Sequence, residues 1–184
     1  MNHIPDGVPP ADPIWRWWGQ ERPPFAQVPR PGQTSVWDHP RPPRMVVDER
    51  EVVVRWGDVE VARTRRAVRV LETAHPPSYY VPWNDVAHHL LQPAMGSSVC
   101  EWKGPARYWT LVDGDRRLPG AAWSYPHPLP RAQALASCVA FYPAGLQCTV
   151  GGETVTPQPG RYYGGWITGD LAGPFKGEPG SDAW

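Results

Sequence analysis

Lysine is almost missing from this chain: of its eighteen basic residues sixteen are arginine, and Lys103 and Lys176 are the only lysines. Net charge is missing too, since eighteen acidic residues balance the basic ones. That excludes the broad electrostatic attraction behind non-specific binding to nucleic acid or anionic membrane, so a nucleic-acid partner is not expected. No apolar run approaches the roughly 20 residues that cross a bilayer. The opening Met-Asn-His-Ile-Pro-Asp has neither the charged nor the apolar region of a signal peptide, which makes the expected location cytoplasmic and away from membranes. Cysteine is scarce. Cys100, Cys138 and Cys148 are odd in number and widely spaced, which fits neither a disulfide framework nor paired Cys-x-x-Cys zinc knuckles, so reduced thiols are expected.

Proline, glycine and tryptophan are abundant instead, and periodic apolar helix is scarce, which favours strands joined by many turns. The 184 residues suffice for one buried domain plus extended segments. Residues 1–43 hold eleven prolines and Trp15, Trp17, Trp18 and Trp37. Prolines remove backbone donors, so this stretch is expected to be an extended arm that cannot join a central sheet. Its tryptophans should lie on the domain or on a partner subunit, which leaves a homo-oligomer through the arm open. A domain is expected over 44–156, with regular structure beginning at Glu51, and a Gly/Pro-rich tail over 157–184 packs on it.

Within the domain, Glu51–Trp56 and Val59–Arg63 read as a β-hairpin, followed by strands at Ala67–Thr73 and Ser78–Pro82. Asn84 or Asp85 offers an N-cap, and Val86–Leu91 is predicted to form a turn or two of helix that Pro93 stops. After a Gly96-Ser97-Ser98 loop, strands are predicted at Val99–Lys103, Ala106–Val112, Ala121–Tyr125, Val139–Tyr142 and Gln147–Val150, with a short helix around Arg131–Ser137. Asp113-Gly114-Asp115-Arg116 reads as a hairpin turn.

Four motifs carry a resemblance. Ser78-Tyr79-Tyr80-Val81-Pro82-Trp83-Asn84-Asp85-Val86, Cys100-Glu101-Trp102-Lys103-Gly104-Pro105-Ala106, Trp123-Ser124-Tyr125-Pro126 with Pro128, and Val139-Ala140-Phe141-Tyr142 resemble, in order, the pattern of the DUF427 family of bacterial domains. Gly164-Gly165-Trp166-Ile167 and Gly173-Pro174-Phe175-Lys176-Gly177 resemble the tail of its longer members. The resemblance implies a mainly β, β-tent fold: two small antiparallel sheets meeting at an angle, one or two short helices, and extended Pro-rich termini. Domains of that architecture include the cereblon ligand-binding module, with its tryptophan cage, and methionine sulfoxide reductase B, with its catalytic cysteine. Their zinc is held by two Cys-x-x-Cys pairs, which this chain lacks, so neither metal nor other cofactor is expected. Some labels of the family mention nucleotidyl transfer.

The resemblance and the residue chemistry point to one constellation. Cys100 and Lys103 are the candidate catalytic residues, and Tyr79, Tyr80, Asp85, Tyr108, Trp123, Ser124 and Tyr125 the candidate ligand-binding residues. Aromatic faces cup a flat or cationic ligand and a few polar groups orient it. The partner so implied is a small molecule. If Lys103 stands beside Cys100, it stabilises the thiolate that nucleophilic or redox chemistry needs, although none of His88, His89 and His127 is placed by spacing as its base. Strand alternation puts Cys100 and Trp102 on one face and Glu101 and Lys103 on the other. The same residues are also compatible with a plain aromatic core in which Lys103 pairs with Asp85. Asp113 and Asp115 have the spacing of Mg²⁺ ligands for nucleotidyl transfer, but on a turn. Arg63, Arg65, Arg66 and Arg69 would meet phosphate or face solvent. Both lysines sit in an aromatic-Lys-Gly context, which hints at a need for a compact ammonium over a planar guanidinium.

Overall fold

A computed structural model describes residues 16–160, 162–182 and 184; Trp15 and the prolines before it lie outside the described residues. The fold is mainly β, with antiparallel sheets and lone 3-10 turns, consistent with a β-tent. In chain order the strands are β1 (Thr34–Ser35), β2 (Arg44–Asp48), β3 (Val52–Trp56), β4 (Val59–Thr64), β5 (Ala67–Leu71), β6 (Ser78–Pro82), β7 (Leu91–Cys100), β8 (Gly104–Asp113), β9 (Arg116–Ser124), β10 (Cys138–Phe141), β11 (Gln147–Val150), β12 (Glu153–Thr154), β13 (Thr156–Pro157), β14 (Trp166–Ile167) and β15 (Leu171–Ala172). A seven-stranded sheet runs β2-β5-β6-β10-β9-β8-β7 and a four-stranded one β12-β11-β3-β4.

The large sheet separates two cores, because successive side chains on a strand point to opposite faces. On β6, Tyr79 and Val81 enter the core shared with the small sheet, where Val52, Val54, Val61, Leu111 and Phe141 are fully buried. Tyr80 enters the other core, with Trp123, Tyr125 and Ala140. Trp166 from the tail fills the first core: it stacks on Tyr79 at 5.1 Å and donates its indole N–H to the Phe141 carbonyl at 2.9 Å. Truncating a buried ring of that size costs about 3–5 kcal/mol. A third cluster joins the arm to the tail through Trp17, Val36, Trp37, Ala74 and Leu171, and β1 pairs in parallel with β15. The described part of the arm thus lies on the chain's own tail.

Several expectations need correction. Regular structure begins before Glu51, since β2 forms the far edge of the large sheet. Val86–Leu91 is no α-helix. Trp83–Asp85 and His88–Leu90 are single 3-10 turns, and Leu91 already enters β7. Pro93 and Gly96-Ser97-Ser98 sit inside that strand. β7 is the other edge of the sheet, where a missing donor is tolerated, and the register shifts between Pro93 and Ser97. The predicted helix at Arg131–Ser137 is a kinked 3-10 segment, Pro130–Leu135. Strand Val99–Lys103 ends at Cys100, for reasons that shape the site.

Candidate functional site

The β7–β8 hairpin closes through a three-residue turn, Glu101-Trp102-Lys103, with Gly104 at φ +96 opposite Cys100. Three-residue hairpin loops use such a left-handed residue, which glycine adopts without steric cost. The expected alternation of Cys100 and Trp102 against Glu101 and Lys103 is therefore overturned. A turn gathers its side chains instead of sorting them, and Cys100, Trp102 and Lys103 line one cavity of about 520 Å³.

The floor of that cavity is the large sheet. Tyr80 on β6, Tyr108 on β8 and Trp123 on β9 project from adjacent parts of it, and Tyr125 follows the end of β9. The Trp123 indole donates to the Tyr80 hydroxyl at 3.1 Å, and its ring lies 4.4 Å from that of Tyr142. Tyr80 and Tyr125 rings are 6.3 Å apart, and the hydroxyls of Tyr108 and Ser98 share a hydrogen bond of 2.7 Å. Burial raises the Tyr80 and Tyr125 phenols well above their ordinary value and pushes Tyr142 up to about 12, so all three remain neutral.

One wall comes from the turn between β5 and β6, where Glu72, His75 and Pro76 face the cavity. Ala74 holds this turn at φ 69, a left-handed conformation costing about 1–2 kcal/mol for a residue with a Cβ. The strain is held because its N–H donates to the Val36 carbonyl and its own carbonyl accepts from Lys176 N–H. His75 is kept neutral: burial dominates and, although Glu72 opposes it more strongly than any one of Arg41, Lys103 and Lys176 assists it, the pKa falls to about 4. Its Nδ1 accepts from Gln158 Nε2 at 3.0 Å.

The arm and tail supply the rest. Arg41, 5% exposed, donates to the carbonyls of Trp17 and Thr73 and stands 3.6 Å from Glu72. Gly164 lies so close to Trp123 that a Cβ there would stand 2.3 Å from Cη2. Lys176 donates to the carbonyls of Ser181, Asp182 and Trp184 at 2.7, 3.0 and 3.1 Å. Burial works against the charge on Lys103, yet Glu72, with Cys100 and Tyr125 beside it, outweighs burial and holds the ammonium above the usual lysine value.

Six of the nine candidate residues thus meet: Tyr80, Cys100, Lys103, Tyr108, Trp123 and Tyr125. Three lie elsewhere. Tyr79 points through the opposite face, where Arg50 donates to its hydroxyl at 2.9 Å. Ser124, next to Trp123 on β9, accepts from the Trp109 indole on that same far side at 2.9 Å. Asp85 accepts from Arg66 Nη2 and Nε, at 2.9 and 3.0 Å, and from the Thr64 hydroxyl at 2.6 Å, so the pairing with Lys103 does not form. Arg63, Arg65 and Arg69 are likewise within 4 Å of carboxylates, of Glu51, Glu60 and Asp48. Asp113 ends β8, Asp115 lies in the two-residue turn to β9, and neither lines the cavity. Among the described residues no three His, Cys, Asp or Glu side chains gather as a metal site requires, and no helix is long and apolar enough to cross a membrane. Glu72, His75, Gln158 and Tyr163 line the cavity without having stood out in the sequence; the aromatic-Lys-Gly context did single out Lys176.

A family model described as "Domain of unknown function (DUF427)" matches residues 44–153, more than half of the chain. No curated protein matches it. The cavity floor and the Cys100–Lys103 turn fall inside the matched stretch, whereas Arg41 and the wall from Gln158 onward fall outside it.

Proposed function

The chain belongs to the DUF427 family, and from that premise we propose that it binds a small molecule in the cavity between the large sheet and the tail. One observation carries this reading: Tyr80, Cys100, Lys103, Tyr108, Trp123 and Tyr125, scattered through the sequence, border a single space of about 520 Å³. Ligand pockets typically measure about 300–1,000 Å³ and combine apolar walls with a few placed polar groups. A packed aromatic core would leave no such space, because interiors are close-packed. Trp123 and Tyr142 offer ring faces, and Lys103 offers a charge.

Intrinsic tryptophan emission and melting temperature, followed while a panel of small metabolites is added to the full chain, test the reading. A cognate ligand raises the melting temperature and changes emission, and Trp123→Leu abolishes both responses. A ligand whose effect survives that substitution binds elsewhere, and the proposal fails.

A second reading rests on Cys100 alone among the thiols. It borders the cavity beside Lys103, while Cys138 and Cys148 are buried in the cores. An ammonium beside a thiol is the arrangement nucleophilic cysteine chemistry uses. Cys100→Ser leaves binding intact if the thiol only lines the wall, and removes turnover of a bound ligand if it reacts.

A further inference from the structure

The cavity holds charges of both signs, and their partners differ enough to indicate what it accepts. Three cations border it: Arg41, Lys103 and Lys176. Arg41 is engaged with two carbonyls and stands 3.6 Å from Glu72. Lys176 places all three of its protons on carbonyl oxygens. His75 is a neutral acceptor of the Gln158 amide and adds no charge. Lys103 is different. Among the described residues no carboxylate stands at ion-pairing distance from it: Glu72 acts on it from farther away, and the Cys100 thiol is within hydrogen-bonding reach. An ammonium that feels Glu72 only from beyond ion-pairing distance keeps its direct contacts open, and an anion entering the cavity gains a charge-assisted hydrogen bond there.

The neighbouring walls limit the rest of the ligand. Trp123 and Tyr142 lie with ring centres 4.4 Å apart, and Tyr80 and Tyr125 extend the aromatic surface toward the turn that carries Lys103. A flat ring finds faces to lie on there. The three cations of the lining are matched in number by Glu72, Glu101 and Asp182, so what favours an acid over the cationic ligand that aromatic cages often take is the placement of Lys103 beside the rings and not an excess of positive charge. A dianion such as a phosphate monoester calls for several free cationic donors, and Arg41 and Lys176 are already engaged.

We infer that the ligand is a small aromatic acid, its ring against Trp123 and Tyr142 and its carboxylate on Lys103. This rests on the pocket reading above and names the ligand class for that same site. Lys103 is here a binding residue, and no covalent step is implied.

Isothermal titration calorimetry on the full chain at neutral pH, with probes that share a ring and differ in charge, tests it. One set is indole-3-acetate, indole-3-acetamide and tryptamine; the other is 4-hydroxyphenylacetate, its amide and tyramine. Each acid binds at least about tenfold more tightly than its amide, and each amine more weakly still, as expected for a charge-assisted contact. Lys103→Met brings the acid down to the level of the amide, and Lys103→Arg retains part of the preference. Should the Met variant lose its native melting transition, Lys103→Gln and Lys103→Arg carry the comparison. Amides or amines that bind as tightly as the acids overturn the acid assignment while the pocket stands, as does a folded Lys103→Met protein with undiminished acid affinity. Failure of all six probes to bind at millimolar concentration overturns the acid assignment and counts against the pocket as well.

Discussion

Lys103 and Lys176 border the same cavity and play opposite parts in it: Lys176 ties the chain to itself through three carbonyls, whereas Lys103 has no carboxylate at ion-pairing distance among the described residues. The shared aromatic-Lys-Gly context therefore marks two lysines of one cavity with different partners, not a repeated device.

Lys176→Met leaves the carbonyls of Ser181, Asp182 and Trp184 without their donor. We predict a loss of about 2–4 kcal/mol by chemical denaturation, the scale of several charge-assisted hydrogen bonds. Lys176→Arg recovers little of it, because a planar fork does not reproduce three tetrahedral donors in a site only 8% exposed. Full rescue by arginine would show that charge alone matters there.

Gly164→Ala drives a methyl into the Trp123 ring, at 2.3 Å from Cη2 and 2.6 Å from Cζ3. Either the indole turns or the tail lifts, and the expected cost is about 1–3 kcal/mol. Tryptophan emission shifts, and any ligand of the cavity binds more weakly. An unaltered spectrum and melting curve would mean that the tail does not press on the indole in solution.

Iodoacetamide should label one thiol per native chain. Cys100 borders the cavity, while burial pushes Cys138 up to about 11 and Cys148 up to about 12 and hides both from reagent. Peptide mapping by mass spectrometry reads the outcome, and labelling of Cys138 or Cys148 at the rate of Cys100 would contradict it.

Stability should fall on mild acidification. His75 titrates near 4 when folded and near 6.5 when unfolded, so below pH 6.5 the unfolded chain binds the extra proton and gains. The stabilisation is complete above about pH 6.5 and is lost as pH falls toward 4, on the order of 3 kcal/mol for this group. Burial lowers His39 as well, in the same direction. Denaturation midpoints for wild type and His75→Gln between pH 4 and 7 give the comparison; a slope unchanged in the variant removes His75 as its source.

Much of the local structure was legible because its cause is local. Val52–Trp56 and Val59–Thr64 form the expected hairpin, since β-branched residues flank a two-residue turn. The predicted strands at Ala67, Ser78, Ala106, Ala121, Val139 and Gln147 are present for the same reason. Val86–Leu91 misled because an N-cap signal and a following proline also suit two 3-10 turns leading into an edge strand. The short strand Arg44–Asp48 escaped notice at the end of a proline-rich stretch.

What the sequence by itself determined is the strand pattern and the presence of a cluster of tyrosines, tryptophan, thiol and ammonium. Which of them face one another was decided by the tertiary structure. Tyr79 and Tyr80 are both buried, and so are Trp123 and Ser124, because both faces of the large sheet are covered. When neither face is wet, alternation says that neighbours part company but not which side holds the cavity. The closing wall of arm and tail arises from contacts such as Arg41 with Glu72 and Gly164 with Trp123, between residues far apart in the chain. No local period encodes those, because they exist only once the whole chain has closed on itself.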